Sequence, residues 1–223
     1  KATALPSLLT KRQVTARSKS QVGVRPNRKR LMGSLAEMAA IGMQPDGSVC
    51  RRGFSAEDVQ GRALLARWMN EAGLQVRVDT AGNLIGRLRG LDPDRPALMT
   101  GSHLDTVPTG GRFDGVLGVL AGLEACRSLQ EHNIRLQHDL ELIVFADEES
   151  TMVGCKGMAG TASPDPSDYA TSNREPIEDN LARIGGHWPS LASACRPDDM
   201  CAAFIELHVE PVSYTHLTLP TSG

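Results

Sequence analysis

The segment Leu140 to Ala146 (LELIVFA) restricts most tightly what this chain can fold into. It carries one charge, Glu141, and runs straight into three consecutive acids, Asp147, Glu148 and Glu149. An apolar run of this kind reads as a buried strand, and a strand buried on both faces needs helices on each side. The flanking sequence supplies them. Helical spacing predicts a short helix over 31–42, with Leu31, Leu35, Met38 and Ala39 on one face. Ser55-Ala-Glu-Asp58 resembles a capping box. The helix it opens carries Leu65, Trp68, Met69 and Ala72 at helical spacing and stops at Gly73. A third helix is expected from about 115 to 130. Shorter strands fall between. Leu74, Val76 and Val78 alternate, and the turn Ala81-Gly82-Asn83 leads into 84–88. Ala97 to Thr100 reads as a buried strand ending at Gly101. Along 203–209, Phe204, Glu206 and His208 face one way while Ile205, Leu207 and Val209 face the other. Residues 157–198 mix short helices and loops. Strands separated by helical segments imply an α/β sheet with helices on both faces.

Charge and composition exclude several classes. The formal net charge is −2, but residues 1–30 hold nine Lys or Arg and no acid, so the remainder is strongly acidic. A basic arm can bind nucleic acid. This one has no aromatics and precedes an acidic body, so residues 1–29 are expected to be a disordered leader, with no nucleic-acid partner. The chain opens on Lys1 rather than Met, which is read as a cut front end. The longest apolar run, Gly115 to Leu123, contains three glycines and is far shorter than the roughly 20 residues of a membrane helix. No membrane partner is expected. Five widely spaced cysteines without a C-x-x-C fit a reducing compartment, and with no export signal they suggest the cytoplasm.

Four polar clusters follow the expected strands or sit at their ends, where sites in open α/β sheets gather. In the first, His103 and Asp105 are two apart, so a carboxylate can stand behind an imidazole whose other nitrogen binds a metal. A surface histidine near a helix cap is the plainer alternative. In the second, Gly110 and Gly111 lead to Asp114 and Gly115, a loop that lets backbone approach a ligand closely. Asp114 also suits a helix N-cap. The third is Asp147-Glu148-Glu149. Adjacent acids repel and need a cation or a proton to coexist. A solvated loop is the alternative. In the fourth, His208 and Glu210 share a face, although a lone strand histidine is more often structural. His132 and His187 lack such a context. Together the clusters offer imidazole and carboxylate ligands suited to zinc or manganese, plus a spare carboxylate for proton transfer.

At this point a family becomes recognisable. TGSHLDTVPTGGRFDGVLGVLAGLEA (100–125), FADEES (145–150) and AFIELHVE (203–210) resemble, in order, the signature blocks of the hydantoinase/carbamoylase family of metal-dependent amidases. RLMGSLAEMAAIG and VDTAGNLIGRLRG also fit, so the likeness covers roughly 30–211. The resemblance implies a three-layer αβα zinc-peptidase-like catalytic domain with a mostly parallel mixed sheet, incomplete in this chain. It implies hydrolysis of N-carbamoyl amino acids or allantoate with two divalent ions, zinc or manganese, with cobalt or nickel as alternatives. It places His103, Asp114, Glu149 and His208 as metal ligands, Asp114 between the two ions, Asp105 behind His103, and Glu148 as the general base. Gly110 and Gly111 would approach the small ureido or carbamoyl substrate, and the intact parent would be a homodimer. His208 favours the carbamoylase branch, because related dipeptidases and deacylases place a carboxylate there.

The likeness has gaps. Met152 and Val153 stand where the family has Arg and Phe, and Pro211 stands where it has Gln. Residues 212–223 resemble a translated sequencing adaptor and are expected to be a non-native tail, so His216 is not counted as a ligand. The chain would then lack the part of the domain that supplies the last ligand of the second ion, and it is expected to be inactive alone. A metallopeptidase or deacylase of the same superfamily is the alternative enzyme. A non-catalytic metal-binding protein is the alternative outside enzymes.

Overall fold

The computed structural model describes residues 23–209. The elements in chain order are α1 (Arg28–Ala40), α2 (Ala56–Glu71), β1 (Gln75–Val78), β2 (Leu84–Leu88), β3 (Ala97–His103), α3 (Val116–Glu131), β4 (Leu140–Phe145), α4 (Val153–Met158), α5 (Ile177–Arg183) and β5 (Cys201–Ile205). Short 3-10 turns occupy Pro166–Asp168, Trp188–Ala194 and Asp198–Met200 within the region expected to be irregular. The sheet order is β1-β2-β4-β3-β5. β2 is antiparallel to β1 and β4, whereas β3 is parallel to β4 and β5. The sheet is therefore mixed, and its parallel half carries the polar strand ends.

β4 lies at the centre because its side chains are apolar on both faces. Leu142 and Val144 enter a core built with Leu35, Met38, Leu65, Met69, Val119, Leu120 and Leu123, from α1, α2 and α3. Ile143 points the other way, to Ile85, Ala97, Met99 and Met158. A further cluster, centred on Phe54, Val153, Ile177, Leu181 and Leu191, seats α4, α5 and the connecting turns. These layers give the α/β architecture with helices on both faces. Each fully buried Leu, Ile or Val contributes on the order of 1.5–3 kcal/mol. The one charge of the strand, Glu141, is buried but accepts a hydrogen bond from Arg196 Nη2 at 3.1 Å, and Arg87 Nε lies 3.3 Å away. A buried carboxylate is tolerated when paired in this way.

Several boundaries differ from the sequence expectation. α1 starts three residues early, because the Asn27 side chain caps it by accepting from the Arg30 N–H. Arg28 and Lys29 are therefore helix, not leader, and Arg30 binds the buried Glu124 carboxylate of α3 at 2.8 Å. Residues 23–27 precede the helix without regular structure, and residues 1–22 of the expected leader lie outside the described residues. At α2, Ser55 accepts from the Asp58 N–H as expected, but the Asp58 carboxylate reaches back to Phe54 N at 2.9 Å rather than to Ser55. β3 continues through Gly101 to His103, and β5 stops at Ile205, so Glu206 and His208 lie beyond the strand rather than along it. Glu210, Pro211 and the expected tail at 212–223 lie outside the described residues. No described helix is long and apolar enough to cross a membrane, and the five cysteines are free thiols.

The glycines of the apolar run 115–123 are a packing surface. A Cβ on Gly118 would lie 2.5 Å from the Leu207 carbonyl oxygen and 2.9 Å from Ser102 Cβ. One on Gly122 would lie 2.7 Å from Leu142 Cδ1 and 3.1 Å from Thr100 Cγ2. α3 thus rests directly on the parallel strands. Gly122→Val should lower the unfolding free energy by about 1–3 kcal/mol through overpacking. Urea denaturation measures this, and unchanged stability would contradict the close approach.

Candidate metal centre

The parallel strands β3 and β4 end side by side, and the polar clusters meet there. His103 is the last residue of β3 and is buried. Its Nδ1 lies 2.9 Å from the main-chain oxygen of Asp105. A carbonyl only accepts, so Nδ1 carries a proton, and in the neutral ring Nε2 keeps its lone pair. The sequence expectation put the Asp105 carboxylate behind the ring. The structure corrects this: Asp105 Oδ1 is 3.8 Å from Nδ1, beyond hydrogen-bond length, and the carbonyl takes that role. The carboxylate instead accepts the Glu149 N–H at 3.0 Å through Oδ2, tying the end of β3 to the loop after β4.

The free Nε2 of His103 faces two carboxylates, Glu148 Oε2 at 3.6 Å and Asp114 Oδ1 at 4.0 Å. His208 Nε2 lies 3.9 Å from the same Asp114 oxygen, and the two imidazole rings are 6.0 Å apart. The N-cap reading of Asp114 is not realised. The cap position of α3 is Gly115, with φ 63° and no side-chain cap bond, so the Asp114 carboxylate is left to face the histidines. Only glycine fits at 115, because a Cβ there would sit 2.6 Å from three atoms of the His103 ring.

Two side chains with no role expected from the sequence hold His208. Ser102 Oγ donates to Glu206 Oε1 at 2.7 Å, and the same oxygen lies 3.4 Å from His208 Nδ1. The only local sign was the spacing of Glu206 and His208. Ser102 becomes a partner through the parallel pairing of β3 with β5.

Among the described residues, potential ligand atoms fall into two sets, His103–Asp114–His208 and His103–Glu148–Glu149, with every atom in a set within 4.8 Å of the others. Burial pushes the Asp105 carboxyl up to about 7, against the opposing pull of His103. Burial also raises Glu149, and the neighbouring Asp114 and Glu148 charges add to the rise. Carboxylates crowded in this way hold their charge poorly without a cation. Two imidazoles and three carboxylates suit a borderline divalent ion such as zinc or manganese, so the donor set fits a metal.

The two glycines proposed for substrate contact differ. Gly110 exchanges both main-chain hydrogen bonds with Val49 at 3.0 Å, and a Cβ there would lie 2.7 Å from Thr106 Cβ. Its backbone is already engaged. Gly111 is exposed and has open space around it.

Residues 99–219, more than half of the chain, match the sequence profile of peptidase family M20/M25/M40. The chain belongs to that family. Within M20/M25/M40, a metal-dependent family, it is 40% identical over 187 residues to the N-carbamoyl-L-amino acid amidohydrolase of Geobacillus stearothermophilus. That alignment covers 82% of this chain and 46% of the relative. The chain is 31% identical over 191 residues to a ureidoglycolate hydrolase of Arabidopsis thaliana, covering 81% of this chain and 40% of that one. Among solved structures, a hydantoinase/carbamoylase family amidase from Burkholderia vietnamiensis superposes with a TM-score of 0.77 at 36% identity. It covers 86% of this chain and 47% of its own. The chain spans about half the length of the relatives it matches.

Gly115→Ala should destabilise the protein by about 1–3 kcal/mol, since it combines a positive φ with contact against the His103 ring. Gly111→Ala should stay within about 0.5 kcal/mol. Thermal or urea unfolding of the pair checks this, and equal effects would contradict the packing of α3 against His103.

Proposed function

We propose that this chain carries the metal-holding part of a hydrolase that cleaves a C–N bond in N-carbamoyl amino acids or related ureido acids such as allantoate. The observation that carries the reading is the convergence of His103, Asp114, Glu148, Glu149 and His208 at the ends of the parallel strands. The names of the relatives, amidohydrolases of N-carbamoyl-L-amino acids and ureidoglycolate hydrolases, support the substrate class.

In this reading His103, Asp114 and His208 would hold one divalent ion, and Asp114 and Glu149 would serve a second. An ion held there supplies Lewis acidity, lowering the pKa of water and countering negative charge on the substrate oxygen. The remaining chemistry belongs to the protein. Glu148 is half-buried beside His103 and is the proton acceptor for the attacking water and the donor to the leaving nitrogen. Asp105 keeps the imidazole of His103 and the backbone of Glu149 in fixed relation. Gly111 lines the approach for the substrate, where its backbone is open.

The test is the full-length enzyme that carries this segment, supplied with manganese or zinc and offered N-carbamoyl-L-amino acids, allantoate, dipeptides and N-acyl amino acids. Ammonia release from the carbamoyl or ureido compounds is the expected result. Turnover of dipeptides or acyl amino acids alone would replace the proposal with the peptidase or deacylase reading that the family name favours. Glu148→Gln should retain the bound ion and lose about 10²–10⁴ in rate. Near-normal turnover in that variant would remove Glu148 from the proton-transfer role.

A further inference from the structure

Arg51 lies in the irregular segment between α1 and α2, yet it is among the most completely buried side chains described. Three of its guanidinium N–H donors go to main-chain oxygens. Nε donates to Leu104 O at 2.8 Å, and Nη1 donates to Ile41 O at 2.8 Å and Met38 O at 3.1 Å. Its backbone is equally committed. The Arg51 N–H donates to Thr106 Oγ1 at 2.9 Å, and the Thr106 N–H donates to Arg51 O at 2.9 Å. The residues on either side of Asp105 are therefore both fastened to Arg51. Between them, the Asp105 carbonyl receives the His103 ring and the Asp105 carboxylate receives the Glu149 N–H.

A buried guanidinium is costly, and an apolar residue would fill the space between α1 and the β3 loop with less penalty. What an apolar residue lacks is a rigid fork that binds several carbonyls at once. We infer that Arg51 is a positioning residue for the candidate metal centre: it fixes the Leu104–Thr106 turn so that the Asp105 carbonyl locks His103 in the Nδ1–H tautomer, leaving Nε2 open toward a cation. The inference rests on reading His103 as a cation ligand. Arg51 itself hydrogen-bonds none of the candidate ligand atoms. The hydrogen bond behind a ligating histidine sets both its tautomer and its orientation, and loss of such support weakens metal binding by about 10- to 100-fold.

Arg51→Lys tests this, because it keeps the charge but removes the planar fork. Long-range ¹H–¹⁵N correlation on the metal-free protein reads the tautomer of each histidine. The wild type should show His103 as Nδ1–H, and Arg51→Lys should show a mixture of tautomers. His132, whose Nδ1 faces Ser128 O at 2.8 Å far from Arg51, is the internal control and should not change. Competition titration with zinc should show affinity falling by about 10- to 100-fold. A general loss of stability would not by itself move one histidine's tautomer. If Arg51→Lys is folded and keeps both the His103 tautomer and the zinc affinity, the inference is overturned. Weaker zinc binding with an unchanged tautomer also overturns it. His103→Ala separates the two layers of argument: unchanged zinc affinity there rejects the metal reading, while the tautomer measurement still decides the role of Arg51. If Arg51→Lys does not fold, Arg51→Met keeps much of the side-chain bulk and removes every guanidinium donor. It should shift the His103 tautomer in the same direction, and no shift would overturn the inference.

Discussion

The close seating of α3 on the parallel strands is the contact on which the rest of the site depends. Gly118 and Gly122 bring the helix against Ser102, Thr100 and Leu142, and Gly115 brings its first turn against the face of the His103 ring. Glycine inside a helix costs roughly 1 kcal/mol relative to alanine. Here that cost is offset by the burial of Val119, Leu120, Leu123 and Cys126 between the glycines and beyond them. The approach also places Asp114, one residue before the cap, within 4.0 Å of both His103 and His208. A larger residue along this face would move the helix and open the gap between the carboxylate and the imidazoles.

Around that contact the protein holds its polar groups by main-chain bonds rather than by side-chain pairs alone. The imidazole of His103 leans on a carbonyl, the turn that bears the carbonyl leans on Arg51, and the acidic loop after β4 leans on the Asp105 carboxylate. His208 is held more lightly, through Glu206 and Ser102, and is partly exposed. The two histidines therefore differ in rigidity: one belongs to the sheet and the other to the segment after its edge strand.

Much of the fold was legible in sequence because its signals are local. The alternation of Leu74, Val76 and Val78, the Ser55 cap and the apolar run at 140–146 each report their own element within a few residues. That the polar clusters would meet was also legible, since they stand at strand ends. Three features were not, for identifiable reasons. Whether Asp105 offers its carboxylate or its carbonyl to His103 depends on the path of the turn, which residue spacing does not encode. Asp114 suits an N-cap by type, but the positive φ of Gly115 moves the cap one residue on. Ser102 and Arg51 act across 104 and 53 positions of sequence, through strand pairing and buried packing that no local pattern records.

The most direct measurement is a crystal structure of the protein soaked with zinc, with anomalous difference density collected at the zinc edge. The account predicts a peak about 2.0–2.2 Å from His103 Nε2 and from an Asp114 oxygen, with His208 completing the set. Zinc density elsewhere, with none between His103 and Asp114, would contradict the claim that the seating of α3 on the strand ends builds a cation site.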